Sequence, residues 1–247
     1  ELAEVSGDLT AQACIWESLA HLAERRNDIK MAETAWLSDL DLLRRQGPDG
    51  FAVLSVLEAL GFLTSSRPDE AAGYWRSAVG LADRLMPGTL RTVGPLCGLG
   101  RVERERGDLG QAEECLQKAN IIAHKLAPGS LAEADALRDL GGVAHLRGNL
   151  ALAQRCYERS LAIQERSSPG SMGLAATLNN LGILATDRGE YVASLGYSSR
   201  ALKIWQEANL PRLNLRKPWY GYPLGRWTER DERNAQLTLK GEHFKVG

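Results

Sequence analysis

The chain has 247 residues, of which 44% are apolar and 25% are charged, proportions typical of a globular protein. Thirty basic side chains nearly balance thirty-one acidic ones, so bulk charge does not favour a nucleic acid or a membrane surface as the partner. No run approaches the roughly 18 apolar residues of a membrane-spanning helix. Four scattered cysteines fit neither a disulfide framework nor a CxxC metal site, and they predict buried thiols in the reducing cytoplasm: Cys14, Cys97, Cys115 and Cys156.

An internal repeat dominates the chain, because three segments align without gaps at a spacing of 41 residues. Two sets of glycines mark the spacing, namely Gly100, Gly141 and Gly182, then Gly107, Gly148 and Gly189. Weaker copies precede them. We therefore predict five units, at residues 10–48, 51–87, 91–128, 131–169 and 172–208, and we interpret residues 1–9 as the end of a truncated sixth.

Each unit is predicted to form two helices, helix A followed by helix B. In the fourth unit Arg147-Gly148-Asn149 separates them, because glycine suits the left-handed residue that ends a helix and asparagine suits the N-cap that follows. Pro-Gly-Ser connectors end helix B and begin the next helix A. Glycines inside helix A predict a close approach of two helix backbones, which offsets their cost of about 0.5–1 kcal/mol. Apolar helix faces carry three tryptophans that we interpret as core residues: Trp16, Trp36 and Trp75.

Three runs carry a family resemblance: Trp16-x-x-Leu19-Ala20, Leu137-x-x-Leu140-Gly141 and Leu178-Asn179-Asn180-Leu181-Gly182. Together with the small residues and closing prolines that follow them, they resemble tetratricopeptide repeats. The 41-residue spacing is similar to the kinesin-light-chain type, which also occurs in bacterial signalling proteins that carry a CHAT domain. The resemblance covers residues 10–208. It implies an all-α, right-handed superhelical solenoid of about five helix pairs over residues 1–209, with helix A lining the inner surface.

Polar residues at the inward positions of helix A are the candidate peptide-binding groove. These residues are Arg101, Arg104, Arg138, Asp139, His145, Asn179, Asn180 and Asp187. Further inward positions are Glu17, His21, Glu24 and Arg25 in the first unit, Glu58 in the second and Glu105 in the third. Arginine can hold a carboxylate through two contacts, and asparagine can pair with an extended backbone. Alternatively, the arginines pair with Glu105 or Asp139 on a solvated face, and the asparagines only cap a helix or face solvent.

Motifs typical of enzymes are missing from the sequence. It contains no GxSxG, P-loop, HExxH or GxGxxG run, and its four histidines have no Cys or His at ligand spacing. We therefore expect no catalytic residue, no metal and no cofactor. The protein is predicted to be non-enzymatic.

Residues 210–247, hereafter the C-terminal segment, differ in composition from the repeats. Four aromatic residues fall within nine positions and are the predicted docking anchors: Trp219, Tyr220, Tyr222 and Trp227. A short helix is predicted at about residues 228–240. The Pro-Trp-Tyr-Gly-Tyr-Pro-Leu-Gly-Arg-Trp run resembles the C-terminus of UbiD-type prenylated-flavin (de)carboxylases, although the flavin-binding and metal-binding parts of that family have no counterpart here. The segment is either a fused piece of a partner enzyme or a native tail with a coincidental likeness.

Charge favours docking of the C-terminal segment on the repeats. The segment carries eight basic and four acidic side chains, so its net charge is +4, whereas the repeats carry −5. The segment is expected to dock on its own chain or on a neighbouring chain in a tail-swapped homodimer.

Two functions remain open at this stage. The chain is an adaptor or scaffold that binds a peptide segment of a partner, with a UbiD-like enzyme as the candidate. Alternatively, it is the sensor arm of a larger signalling protein such as a CHAT protease or a transcription regulator.

Overall fold

The computed structural model describes residues 2–47 and 49–207, and in this part of the chain all regular structure is helical. The chain divides between Ala127 and Pro128 into two compact units. Ten α-helices pair into hairpins in the described residues, which confirms the predicted all-α repeat fold.

Unit 1 contains three hairpins. Their helices are α1 (Leu2–Arg25) with α2 (Ile29–Gln46), α3 (Phe51–Leu63) with α4 (Pro68–Leu85), and α5 (Val93–Glu105) with α6 (Leu109–Leu126). A short 3₁₀ turn at Leu90–Thr92 leads into α5. Consecutive helices pack against each other, and α3 also contacts α5. Residues 2–9 continue α1, which corrects their interpretation as the end of a separate sixth unit.

Unit 2 contains two hairpins, α7 (Leu131–Leu146) with α8 (Leu150–Ser167) and α9 (Met172–Asp187) with α10 (Tyr191–Glu207). The B helix α8 packs on α9, and the two A helices α7 and α9 also meet. Tyr157 of α8 lies in a buried cluster with leucines of α9, Leu181 and Leu184. The second hairpin therefore covers the apolar side of the first.

Local capping explains why each hairpin turns where it does. Gly148 has a φ of 77°, in the left-handed region, and the side chain of Asn149 then accepts a hydrogen bond of 3.1 Å from the backbone N–H of Leu152. In the first hairpin Asn27 takes the glycine's place with a φ of 57°, and Asp28 caps α2. The boundary predicted at Arg147-Gly148-Asn149 is confirmed.

One repeat position of helix B lies against a glycine of helix A in the same hairpin, and the pairs are Leu116 with Gly100, Tyr157 with Gly141 and Ser198 with Gly182. Trp75 occupies the same helix B position one unit earlier, and its ring lies against Gly61 of its own hairpin and Gly98 of the next. A Cβ atom built on Gly141 would lie 2.6 Å from the ring of Tyr157, closer than real Cβ contacts. The glycines therefore allow the close helix approach that their recurrence predicts.

Gly141→Ala should destabilise unit 2 by about 1–3 kcal/mol, because Tyr157 is buried and its ring has no room to retreat. Gly196→Ala in α10 is the matched control, since nothing lies within 4 Å of its Cβ position, and it should stabilise the helix by about 0.5–1 kcal/mol. Urea unfolding of the full chain, followed by circular dichroism at 222 nm, measures both. Shifts in the same direction would contradict the packing argument.

Candidate functional site

A polar pair joins the two A helices of unit 2. His145, in the last turn of α7, lies 2.6 Å through Nε2 from Oδ2 of Asp187, the last residue of α9. The side chain of His145 is 20% exposed and that of Asp187 is 50% exposed. Asn180 is half-buried and lies seven residues before Asp187, on the same face of α9. These three predicted groove residues are accessible to a ligand.

Other predicted groove residues of unit 2 lie inside it. Arg138 is buried and pairs with Asp135 through Nη1 at 2.5 Å and with Asp139 through Nη2 at 3.3 Å. Asp139 and Asn179 are also buried. These three predicted groove residues are therefore not exposed in unit 2, whereas the neighbouring Asn180 is half-buried.

Repeat register explains this burial. Val56, Cys97, Arg138 and Asn179 follow one another at 41 residues and occupy the same position in successive A helices. All four are buried. The apolar residues at this position in the earlier repeats were the signal that it faces the packing interface.

In unit 1 the predicted groove residues Arg101 and Arg104 are both half-buried on α5. The Arg101 guanidinium lies 5.4 Å from the centre of the Phe62 ring, a cation–π contact between α5 and α3. Phe62 in turn meets Trp75 edge-on at 4.7 Å. The sequence analysis missed Phe62, which is 38% exposed near the end of α3. This aromatic residue holds Arg101 in place.

Two predicted inward residues of the first two hairpins, Glu24 and Glu58, form hydrogen bonds or ion pairs within unit 1. Glu24 accepts a hydrogen bond of 2.8 Å from Nε1 of Trp36 and lies 3.2 Å from Nδ1 of His21. Glu58 pairs with Arg91 at 3.1 Å. Burial raises the pKa of Glu58, and Arg91 partly offsets this. The first contact joins α1 to α2, and the second joins α3 to the 3₁₀ turn before α5.

Asp39 of α2 is a buried acid that the sequence analysis did not single out. Its Oδ1 atom has no hydrogen-bond partner in the described part of the chain. Burial, and next the charge of Glu17, raise the pKa of Asp39 to about 6. Asp39 therefore keeps its proton to a higher pH in the folded chain than in the unfolded chain.

The cysteines offer no activated thiol among the groups with a resolved shift. Burial raises the pKa of Cys115 and of Cys156, so both thiols stay protonated near neutral pH. Among residues 2–47 and 49–207 no group of three or more His, Cys, Asp or Glu side chains is placed to hold a metal ion. Every helix within these ranges is too short or too polar to span a lipid bilayer.

The four predicted anchors of the C-terminal segment lie outside the described residues, as does the short helix predicted at about 228–240. These are Trp219, Tyr220, Tyr222 and Trp227. Their docking stays a prediction.

Two family models match the chain, both described as tetratricopeptide repeat, at residues 91–166 and 174–211. These segments are tetratricopeptide repeats. The matched ranges cover the last part of unit 1 and most of the helices of unit 2, where the glycine spacing is regular. A search of curated protein sequences finds no match.

Several solved structures are similar in fold. BtubC (BKLC) from P. vanneervenii is 21% identical, with a TM-score of 0.64 over 82% of this chain and 83% of that one. A putative kinesin light chain from Podosopora anserina is 14% identical, with a TM-score of 0.61 over 83% and 98%. MamA protein is 20% identical, with a TM-score of 0.51 over 84% and 98%. At these identities the likeness shows the fold alone.

Proposed function

We propose that this chain is a non-enzymatic scaffold that binds a segment of a partner polypeptide on its A helices. Tetratricopeptide repeats support a protein-binding role, because stacked helix pairs present many side chains without building a catalytic centre. The observation that carries the proposal is the accessible polar surface of unit 2, where His145 and Asp187 link the ends of α7 and α9 and Asn180 lies about two turns earlier on the same face of α9.

The chemistry of this surface suits an extended backbone. The Asn180 amide offers both a donor and an acceptor, and the Asp187 carboxylate accepts further hydrogen bonds from backbone N–H groups. The His145 contact orients that carboxylate. In unit 1 Arg101, held over Phe62, and Arg104 are suited to carboxylates of the partner.

The specific partner we propose is a UbiD-type (de)carboxylase. Support comes from the C-terminal segment, whose Pro-Trp-Tyr-Gly-Tyr run resembles the end of that enzyme family. If the repeats bind a run of this kind at the end of their own chain, they can also bind the same kind of run at the C-terminus of a partner enzyme.

Affinity capture with the tagged full chain tests the scaffold and its partner together. We expect mass spectrometry to identify a UbiD-type enzyme, recovered about tenfold less with the His145→Ala, Asp187→Ala double variant, a loss of about 1.4 kcal/mol. Glu158→Ala, an exposed carboxylate on α8, is the matched control and should leave recovery unchanged. If no such enzyme is captured, the partner is wrong. If capture survives the double variant, the surface is wrong.

A further inference from the structure

The acidic excess of the repeats is confined to the first hairpin. Residues 1–50 carry ten acidic and five basic side chains, whereas residues 51–207 carry seventeen of each. Residues 208–247 carry eight basic and four acidic side chains. The two ends of the chain therefore have opposite charges of similar size, separated by a neutral middle.

The first hairpin also exposes an apolar stripe on α1. Ile15 is 59% exposed, Leu19 is 38% and Leu22 is 46% exposed. Spaced at i, i+4 and i+7, they lie on one face of the helix. In the later hairpins of unit 1 most residues at the matching repeat positions are buried, among them Leu54, Leu99 and Val102, whereas Glu58 is half-buried. The stripe thus resembles the faces that pack against other helices in later hairpins, but the described residues leave it exposed.

A groove between α1 and α2 adjoins the stripe. Gln12 and Trp16 line it from the same face of α1 that carries Ile15 and Leu19, since positions 12, 15, 16 and 19 follow the i, i+3, i+4, i+7 pattern. Leu37 and Asp41 line it from α2, and the cavity volume is about 500 Å³. The groove therefore combines apolar walls with a carboxylate.

Leu37, which lines this groove, is an apolar residue at a repeat position that is polar in the later B helices. It is 42% exposed, although the later B helices carry polar or charged residues at the same repeat position: Arg76, Gln117 and Glu158. Leu37 thereby adds an exposed apolar side chain to the groove that Trp16 lines from α1.

We propose that the groove and stripe of the first hairpin bind the C-terminal segment of a second copy of this chain. The aromatic side chains of residues 219–227 supply apolar anchors, and the basic side chains of the segment meet the acidic excess of residues 1–50. Each copy carries one acceptor surface and one segment, so two copies can exchange their segments and form a dimer. The residues of this acceptor surface belong to α1 and α2, whereas those of the proposed partner surface belong to α7 and α9.

Zero-length carbodiimide cross-linking of the purified full chain tests this contact. Lysines of the segment, such as Lys217, should join carboxylates of residues 1–50, including Asp41, far more often than those of residues 51–207. In a mixture of ¹⁴N-labelled and ¹⁵N-labelled protein, peptides of mixed label should form, because the contact is between chains. Raising the salt concentration to 0.5 M should reduce their yield severalfold.

Surface variants make the test specific. Ile15→Ser with Leu19→Ser should lower the mixed-label yield at least fivefold, and so should Trp219→Ala with Trp227→Ala. Ile121→Ser is the matched control, because Ile121 is 63% exposed on α6 of the same unit, and it should have no effect. Circular dichroism verifies that each variant keeps its helix content.

Three outcomes would overturn the inference: cross-links spread evenly over the acids of the chain, cross-links confined to peptides of one label, or yields unchanged by the Ile15 and Leu19 variant. A fourth such outcome is measured by light scattering. If the Trp219 and Trp227 variant still forms dimers, the stripe packs on another part of the second copy and not on the C-terminal segment. The His145→Ala, Asp187→Ala variant should cross-link normally, so failure here and failure of the proposed scaffold function can be told apart.

Discussion

Trp75→Ala should lower the free energy of unfolding by about 3–5 kcal/mol, the largest effect we expect from a single substitution in this chain. Trp75 is 2% exposed and belongs to α4, a B helix. Its removal deletes most of a large apolar side chain and leaves a cavity that rigid helices can close only in part. The measurement is the urea midpoint of the full chain, by circular dichroism at 222 nm.

The surroundings of Trp75 explain why relaxation is limited. Cβ atoms built on Gly61 of α3 and Gly98 of α5 would lie 2.6 Å and 2.5 Å from its ring, so two A helices already approach the indole as closely as glycine permits. Phe62 packs edge-on against the same ring. Further collapse would require α3 and α5 to shift together.

Phe51→Ala is the matched control, because this aromatic residue begins α3 in the same unit and is 52% exposed. We expect a loss of less than about 1 kcal/mol, in line with partial burial. If the losses at Trp75 and Phe51 were equal, the packing between the three helices would not be what stabilises unit 1.

Glu133→Ala should destabilise unit 2 by about 2–4 kcal/mol. The fully buried Glu133 side chain accepts a hydrogen bond of 2.6 Å from the backbone N–H of Gly129 through Oε2 and forms an ion pair with Arg159 of α8 through Oε1. Its own N–H donates to the Ser130 hydroxyl at 3.3 Å, so one residue combines the cap of α7 with the contact to α8.

Glu133→Gln separates the two roles of this side chain. Glutamine keeps an oxygen for the Gly129 N–H but removes the charge opposite Arg159, so we expect a smaller loss than for alanine. Glu158→Ala, an exposed neighbour on α8, is the control and should stay within about 0.5 kcal/mol. The midpoint of thermal unfolding ranks the variants, and an equal loss for alanine at positions 133 and 158 would contradict the argument.

The placement of helices and turns could be predicted from the 41-residue spacing because its signals act locally. Gly148 and Asn149 end one helix and begin the next through contacts within a few residues, and Ser130 and Ser171 begin α7 and α9 in the same way. Such signals need no distant neighbour, so the repeat boundaries within the described residues follow from the order of amino acids.

The accessible part of the candidate site could not be predicted in this way. Arg138 and Asn179 are polar, yet they lie at a repeat position that an adjoining hairpin covers, whereas Ile15 is apolar and stays exposed at the first hairpin. Whether a side chain meets solvent depends on which helix lies beside it, and that helix comes from a repeat about 40 residues away in sequence. Capping chemistry along the chain thus specifies the hairpins, and burial between hairpins selects which of their polar residues remain free to meet a ligand.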